Sequence, residues 1–240
     1  MRILALIAMM ALAGMAVAQP SNVLVYNDTY GGYGDAVITA IGNVWPGATV
    51  DAFTGGEAGQ TAFNTALNTG TYDVIIIECW YWDTDDLYWG GVNDLYDTGG
   101  AVVYASSWEW ENGTSGQLNL ANAMGVTSTT PDFNLSPMYV WDDMHPIVEG
   151  ITDWSQADPG LNIKNTWMTV DDADPITGWA ATPTPGQAAI CVANDGISVI
   201  SGFTAGYAND GVNIWENILG FMEGGTALQQ STWGAIKSSF

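Results

Sequence analysis

Tyr72-Asp73-Val74-Ile75-Ile76-Ile77-Glu78-Cys79-Trp80-Tyr81-Trp82-Asp83 is the stretch on which the fold turns. Val74 to Ile77 are four consecutive β-branched apolar residues that end abruptly at a carboxylate, a thiol and three aromatics. An unbroken apolar run, in place of an alternating one, fits a strand buried on both faces, as in parallel sheets covered by helices. Ligands of open α/β sheets bind beyond the carboxyl ends of the strands. Glu78 to Asp83 therefore falls on the edge where function is expected.

The flanking sequence supplies the rest of such a sheet. Asn22 to Asp28 is a strand ending in a carboxylate, followed by the glycine-rich Tyr30-Gly31-Gly32-Tyr33-Gly34. Asp35 is a candidate N-cap for a helix carrying Ala36, Val37, Ala40, Ile41 and Val44, closed by Pro46-Gly47. Ala48 to Thr54 is the next strand, and Gln60 to Leu67 a short amphipathic helix. After the central strand, Asp85 to Tyr96 reads as a helix, with Asp83, Asp85 and Asp86 opposing its dipole. Ala101 to Ser107 is the fourth strand, and Ser115 to Met124 is again helical. From Gly125 to Thr184 the pattern loosens around six prolines, with Pro185 just beyond, and only Asn162 to Val170 and Trp179 to Thr182 look extended. Ala188–Ala193 and Ile197–Phe203 flank Asn194-Asp195-Gly196, a hairpin signal. Asn209 to Met222 makes a last helix with Val212, Trp215, Ile218 and Leu219 on one face. Alternating strands and helices with short connections predict an α/β fold with a doubly wound, mostly parallel sheet and a C-terminal hairpin extension.

Met1-Arg2, the apolar Ile3 to Val17 and the small-x-small Ala16-Val17-Ala18 have the form of a secretory signal peptide over residues 1–18. The domain is then expected over 19–225, with a tail at 226–240, and the product is secreted, periplasmic or on the cell surface. Loss of Arg2 takes the charge from −23 to −24 and leaves Lys164 and Lys237 against 26 carboxylates. Such a polyanion repels nucleic acid and anionic lipid. It favours basic partners, divalent cations or, with little lysine to discourage contact, other copies of itself. No segment after the leader is long and apolar enough to span a bilayer. Cys79 and Cys191 can pair in an oxidising compartment, yet both lie in strand-like runs that suit buried free thiols.

Four places give the chain a family likeness. They are Tyr72-Asp73-Val74-Ile75-Ile76, Gly99-Gly100-Ala101-Val102-Val103, His145-Pro146-Ile147-Val148-Glu149-Gly150, and Gly196 to Phe203 followed by Gly211 to Leu219. In these it resembles the class I glutamine amidotransferase-like group of flavodoxin-like folds, close to its ThuA-type members. Active amidotransferases of that group carry a cysteine nucleophile at a glycine-flanked turn after the fourth strand. Here that turn reads Ala105-Ser106-Ser107-Trp108-Glu109, and the late His-x-Glu pair is missing because His145 is the only histidine. The resemblance thus implies the fold without the ancestral chemistry.

Each chemical candidate has a plainer alternative. Cys79 as a nucleophile needs a positive neighbour, but Glu78 and Asp83 flank it. Ser106 or Ser107 with His145 could form a Ser-His hydrolase pair, though no G-x-S-x-G elbow is present. Glu78, Glu109, Glu111 and Asp28 could supply two glycosidase carboxylates, in a chain where carboxylates abound. Asp83-Thr84-Asp85-Asp86 and Asp171-Asp172-Ala173-Asp174 offer oxygen ligands for weak Ca²⁺ binding without an EF-hand spacing. Asn27-Asp28-Thr29, Asn112-Gly113-Thr114 and Asn134-Leu135-Ser136 have the N-glycosylation pattern. The aromatics after strands three and four are the least ordinary feature, and Trp beside carboxylate suits sugar stacking or a protein contact. The expected ligand surface is Asp28, Glu78, Trp80, Trp82, Trp108 and Glu109, taking a polysaccharide or another copy of the chain, with no cofactor and no dedicated metal.

Overall fold

The computed structural model describes residues 19–28, 35–79, 86–106, 115–132, 137–156 and 165–223. The expected leader and tail lie outside them. In chain order come β1 (Asn22–Asp28), α1 (Asp35–Val44), β2 (Thr49–Thr54), α2 (Glu57–Thr69), β3 (Val74–Cys79), α3 (Trp89–Asp97), β4 (Ala101–Ser106) and α4 (Ser115–Ala123). Then follow β5 (Val126–Asp132), β6 (Tyr139–Val140), β7 (Asn165–Val170), β8 (Asp174–Gly178), β9 (Ala188–Val192) and β10 (Val199–Ser201). Residues 211–223 form a closing helix, α5.

The ten strands among the described residues join one sheet, ordered β2-β1-β3-β4-β10-β9-β7-β5, with β8 on β9 and β6 on β8. The first five in that order are mutually parallel, which is the 2-1-3-4-5 flavodoxin-like arrangement. β9 is antiparallel to β10 through the Asn194-Asp195-Gly196 turn, so the expected hairpin is the seam between a parallel half and an antiparallel half. In that turn, Asp195 Oδ1 accepts from the Ile197 and Ser198 amides at 3.0 and 2.9 Å, while Gly196 takes φ 77°. That backbone suits a residue without a Cβ.

The two faces of the sheet bury separate cores. Val23, Val25, Val74, Ile76, Val103 and Val199 pack with α1 and with Ile214, Trp215 and Ile218 of α5. Leu24, Ile75, Ile77, Val102 and Ile200 pack with Phe63 of α2, Trp89 and Val92 of α3 and Leu120 of α4. Burial of β3 and β4 on both faces is what their continuous apolar runs demand. β2, by contrast, is an edge strand with a mostly exposed pattern.

Several expectations need correcting. α3 starts at Trp89, so Asp86 belongs to a turn before it, where Asn64 Nδ2 donates to the Asp86 carbonyl at 2.8 Å and Asn64 Oδ1 accepts from Tyr88 N at 2.7 Å. The region that looked loose, 125–184, holds β5, β6 and β8 as well as β7. Trp179–Thr182 is a bend after β8 and not a strand. Cys79 and Cys191 are separate, buried thiols, not a disulfide. They sit on β3 and β9, with β4 and β10 between them. At about 4.8 Å per strand this separates them by roughly 14 Å, twice the reach of a disulfide.

Two predictions follow from this packing. Native protein should leave both thiols unreactive toward Ellman's reagent, and denaturant should expose both; a native-state reaction would contradict the burial. Gly125 has φ 91°, and a Cβ there would meet Ala173 N at 2.5 Å. Gly125→Ala should therefore lower unfolding free energy by about 2 kcal/mol or more, measured by urea denaturation.

Candidate functional site at the strand ends

The parallel strands deliver the chain to one edge in register. Asn27 of β1 pairs with Glu78 of β3 and Glu78 with Ala105 of β4. One residue further, Asp28 pairs with Cys79 and Cys79 with Ser106. Side chains alternate across a strand, so these two rows face opposite sides of the sheet. Asn27 and Glu78 point to the α1/α5 side, whereas Asp28, Cys79 and Ser106 point to the α2–α4 side.

Glu78 is fully buried. Its Oε1 accepts from Gly206 N at 2.7 Å and from Trp215 Nε1 at 3.3 Å, and its Oε2 accepts from Asn27 Nδ2 at 3.3 Å. Gly206 lies in the 3-10 turn Ala205–Tyr207 after β10, and Trp215 lies on α5. Burial pushes the Glu78 carboxyl up to about 7, against the pull of those three donors toward the ionised form. The crevice between β1 and β3, where an open α/β sheet holds its ligand, is therefore closed on this side by the protein's own groups.

The other expected site residues are distributed as follows. Asp28 is partly buried and lies against Gly55, where an added Cβ would come within 2.1 Å of Oδ1. Because Asp28 and Glu78 face opposite sides, they do not form a glycosidase-type carboxylate pair. Ser106 is fully buried at the end of β4. His145 caps the 3-10 turn Pro146–Val148, where its Nδ1 accepts from Ile147 N at 3.2 Å. Its ring packs on Phe221 with centroids 4.9 Å apart. Desolvation holds its pKa below the ordinary value, opposed by Asp142 and Asp174. The structure thus gives His145 a structural post and does not join it to Ser106. Trp80, Trp82, Ser107, Trp108 and Glu109 lie outside the described residues.

Asn27 also bears on the N-glycosylation pattern, which carries little weight in a chain rich in Asn, Ser and Thr. It is nearly inaccessible and bonded to Glu78, so its sequon is closed to glycosylation in the folded chain. Sequence reasoning missed Asn27 and Gly206 as partners of Glu78, and placed Trp215 only on a buried face. The available signal was the unusual carboxylate directly after Ile77, which demanded donors from somewhere. Among the described residues, no group of three or more His, Cys, Asp or Glu is arranged to hold a metal ion. No described helix is long and apolar enough to cross a membrane.

No protein-family model and no curated protein matches the chain. Among solved structures, it is similar to a ThuA-like protein from Parabacteroides merdae, with TM-score 0.49 and 10% identity over 88% of this chain and 92% of that one. It is similar to a β-galactosidase from Bacillus circulans sp. alkalophilus, with TM-score 0.45 and 13% identity over 88% of this chain and 31% of that one. It is also similar to PurLQS from Thermotoga maritima, with TM-score 0.44 and 10% identity over 85% of this chain and all of that one, 100%. Likenesses of this size leave the classification to strand order and layering, which define an α/β domain of flavodoxin-like arrangement.

Glu78 makes stability depend on pH. Its folded pKa, about 7, lies above the unfolded value of 4.5. Between those values the folded state holds a proton that the unfolded state has lost, so the contribution is complete below pH 4.5 and disappears as pH rises through 7. Glu78→Gln removes this titration. The stability of Glu78→Gln relative to wild type should therefore rise by about 3 kcal/mol from pH 4.5 to 8, read from paired urea curves. A flat difference would refute the assignment. Glu78→Ala orphans the Gly206 and Trp215 donors and should cost about 2–4 kcal/mol throughout.

Proposed function

We propose that this chain is an exported, acidic, non-catalytic domain of amidotransferase-like type, acting outside the cytoplasm by binding or assembly through the carboxyl edge of its parallel strands. The observation that carries this reading is the closure around Glu78. The carboxylate buried at the switch point is bonded to Asn27, Gly206 and Trp215 and has no accessible surface. His145 packs on Phe221 of α5 while Ser106 faces α2–α4, which counts against the Ser-His hydrolase. What leaves the edge in sequence is aromatic and acidic: Tyr30 and Tyr33 after Asp28, Trp80 to Trp82 after Cys79, Trp108 to Glu111 after Ser106. Trp beside carboxylate suits a polysaccharide or another copy of this chain. A charge of −23 argues against nucleic acid and gives Ca²⁺ a role in offsetting repulsion between copies.

Light scattering after size exclusion, with and without Ca²⁺, together with co-sedimentation on insoluble polysaccharides, tests the proposal. The expected result is a mass above that of the monomer, or retention on a polysaccharide. Trp80→Ala, Trp82→Ala or Trp108→Ala should weaken either by about tenfold. A monomer under every condition that also ignores polysaccharides would overturn it.

A further inference from the structure

The single histidine of the chain stands where the antiparallel half meets the closing helix. His145 follows β6, opens the 3-10 turn Pro146–Val148 and lays its ring on Phe221 of α5, with centroids 4.9 Å apart at an interplanar angle of 50°. The turn it opens is part of the core: Ile147 is fully buried and Val148 nearly so, in the cluster that also holds Trp215 and Ile218. Asn217 of α5 binds the turn from the other side, its Nδ2 donating to the carbonyls of Ile147 at 3.2 Å and Glu149 at 2.8 Å. The contacts to this turn come from the second half of α5, beyond Trp215, which donates to Glu78.

The amide of Ile147 is one of the donors that the start of a helical turn leaves without a backbone acceptor. It is given the His145 Nδ1 at 3.2 Å. A ring nitrogen that accepts carries no proton, so the imidazole is neutral, with its hydrogen on Nε2. A proton on Nδ1 would set two donors face to face and leave a buried amide without an acceptor. Burial of the ring opposes that proton, while Asp142 before the turn and Asp174 of β8 favour it. α5 presents the apolar Phe221 to the ring, and the described residues include no Lys or Arg to act on it.

We propose that His145 is an acid-sensitive latch: one proton taken from solvent onto Nδ1 undoes the cap on Ile147 and frees residues 145–149 from α5, uncovering Ile147 and Val148. Asp142 and Asp174 are placed to attract the imidazolium once the cap is lost, which stabilises the released form. The folded pKa lies below the ordinary 6.5, so the latch contributes fully above pH 6.5 and is lost as pH falls through the folded value. Glu78 acts in the opposite direction, its contribution being lost as pH rises through about 7. Acid therefore loosens the Asn217–Phe221 end of α5 while it favours the Trp215 end.

Nuclear magnetic resonance tests this on the whole chain, because one histidine gives one imidazole Cε1–H signal. Its titration midpoint should lie below 6.5. Hydrogen exchange of the Ile147 amide, corrected for the intrinsic rate, should report an opening equilibrium that rises as pH falls below 6.5, by up to about tenfold per pH unit. His145→Asn keeps a capping acceptor without a titrating ring, and should make that equilibrium independent of pH over the same range. His145→Ala removes the cap and should raise opening about fivefold even at neutral pH. Glu78→Gln should leave both the His145 midpoint and the Ile147 profile unchanged, which separates the latch from the titration of Glu78. A midpoint at or above 6.5, protection of Ile147 that survives protonation of the ring, or the same pH profile in His145→Asn would each overturn the proposal.

Discussion

Much of this fold is locked by one buried carboxylate that must be given donors. Glu78 ends the most hydrophobic strand of the sheet, and its side chain points into the core between α1 and α5. An ionisable group in that position is costly unless it is hydrogen-bonded. The chain meets the demand from three distant places, and each donor fixes a segment: Asn27 fixes the end of β1, Gly206 the turn after β10, and Trp215 the start of α5. Residues 51, 128 and 137 positions away are thereby held on one pair of oxygens. The same demand removes Glu78 from any role as an open acid or base.

Scarcity of lysine and arginine imposes a related constraint on the whole chain. With 26 carboxylates against three basic residues, ion pairs cannot neutralise the acids. The structure instead directs backbone amides at them. Asp73 Oδ2 accepts from Ser21 N at 2.7 Å and Asn22 N at 3.0 Å, which pins the start of β1 to the start of β3. Asp195 shapes the β9–β10 turn in the same way, and Asp210 gathers the amides of Thr152 and Asp153. Charge-assisted bonds of this kind are stronger than neutral ones and need no counter-charge. They also leave the surface field uncompensated.

The β9–β10 hairpin explains how a flavodoxin-like half comes to carry an antiparallel extension. β10 completes the parallel order beside β4, and β9, forced antiparallel by a short turn, opens a new edge on which β7 and β8 build. Ser198 ties the seam: its Oγ accepts from Val102 N at 2.9 Å and donates to Asp195 Oδ2 at 2.6 Å.

The sequence alone determined the parallel half of the molecule. Val74 to Ile77 and Val102 to Tyr104 can be buried on both faces in few other ways, and glycine pairs, Asp-Gly and helical spacing mark the turns and helices between them. It also determined that no cysteine stands in the Ala105–Glu109 turn and that His145 is the single histidine, because those are matters of residue identity. Only the tertiary structure decided which carboxylates are spent on the fold and which face solvent. Asp28 and Glu78 look equivalent as strand-end acids, yet a one-residue offset in register sends them to opposite faces. β5, β6 and β8 were illegible because strands that contain or adjoin proline draw their stability from cross-strand neighbours, not from a pattern of their own. The contact of Phe203 with Trp154 and Trp179 was illegible for the same reason: the three are scattered along the chain, and only the tertiary fold brings their rings together.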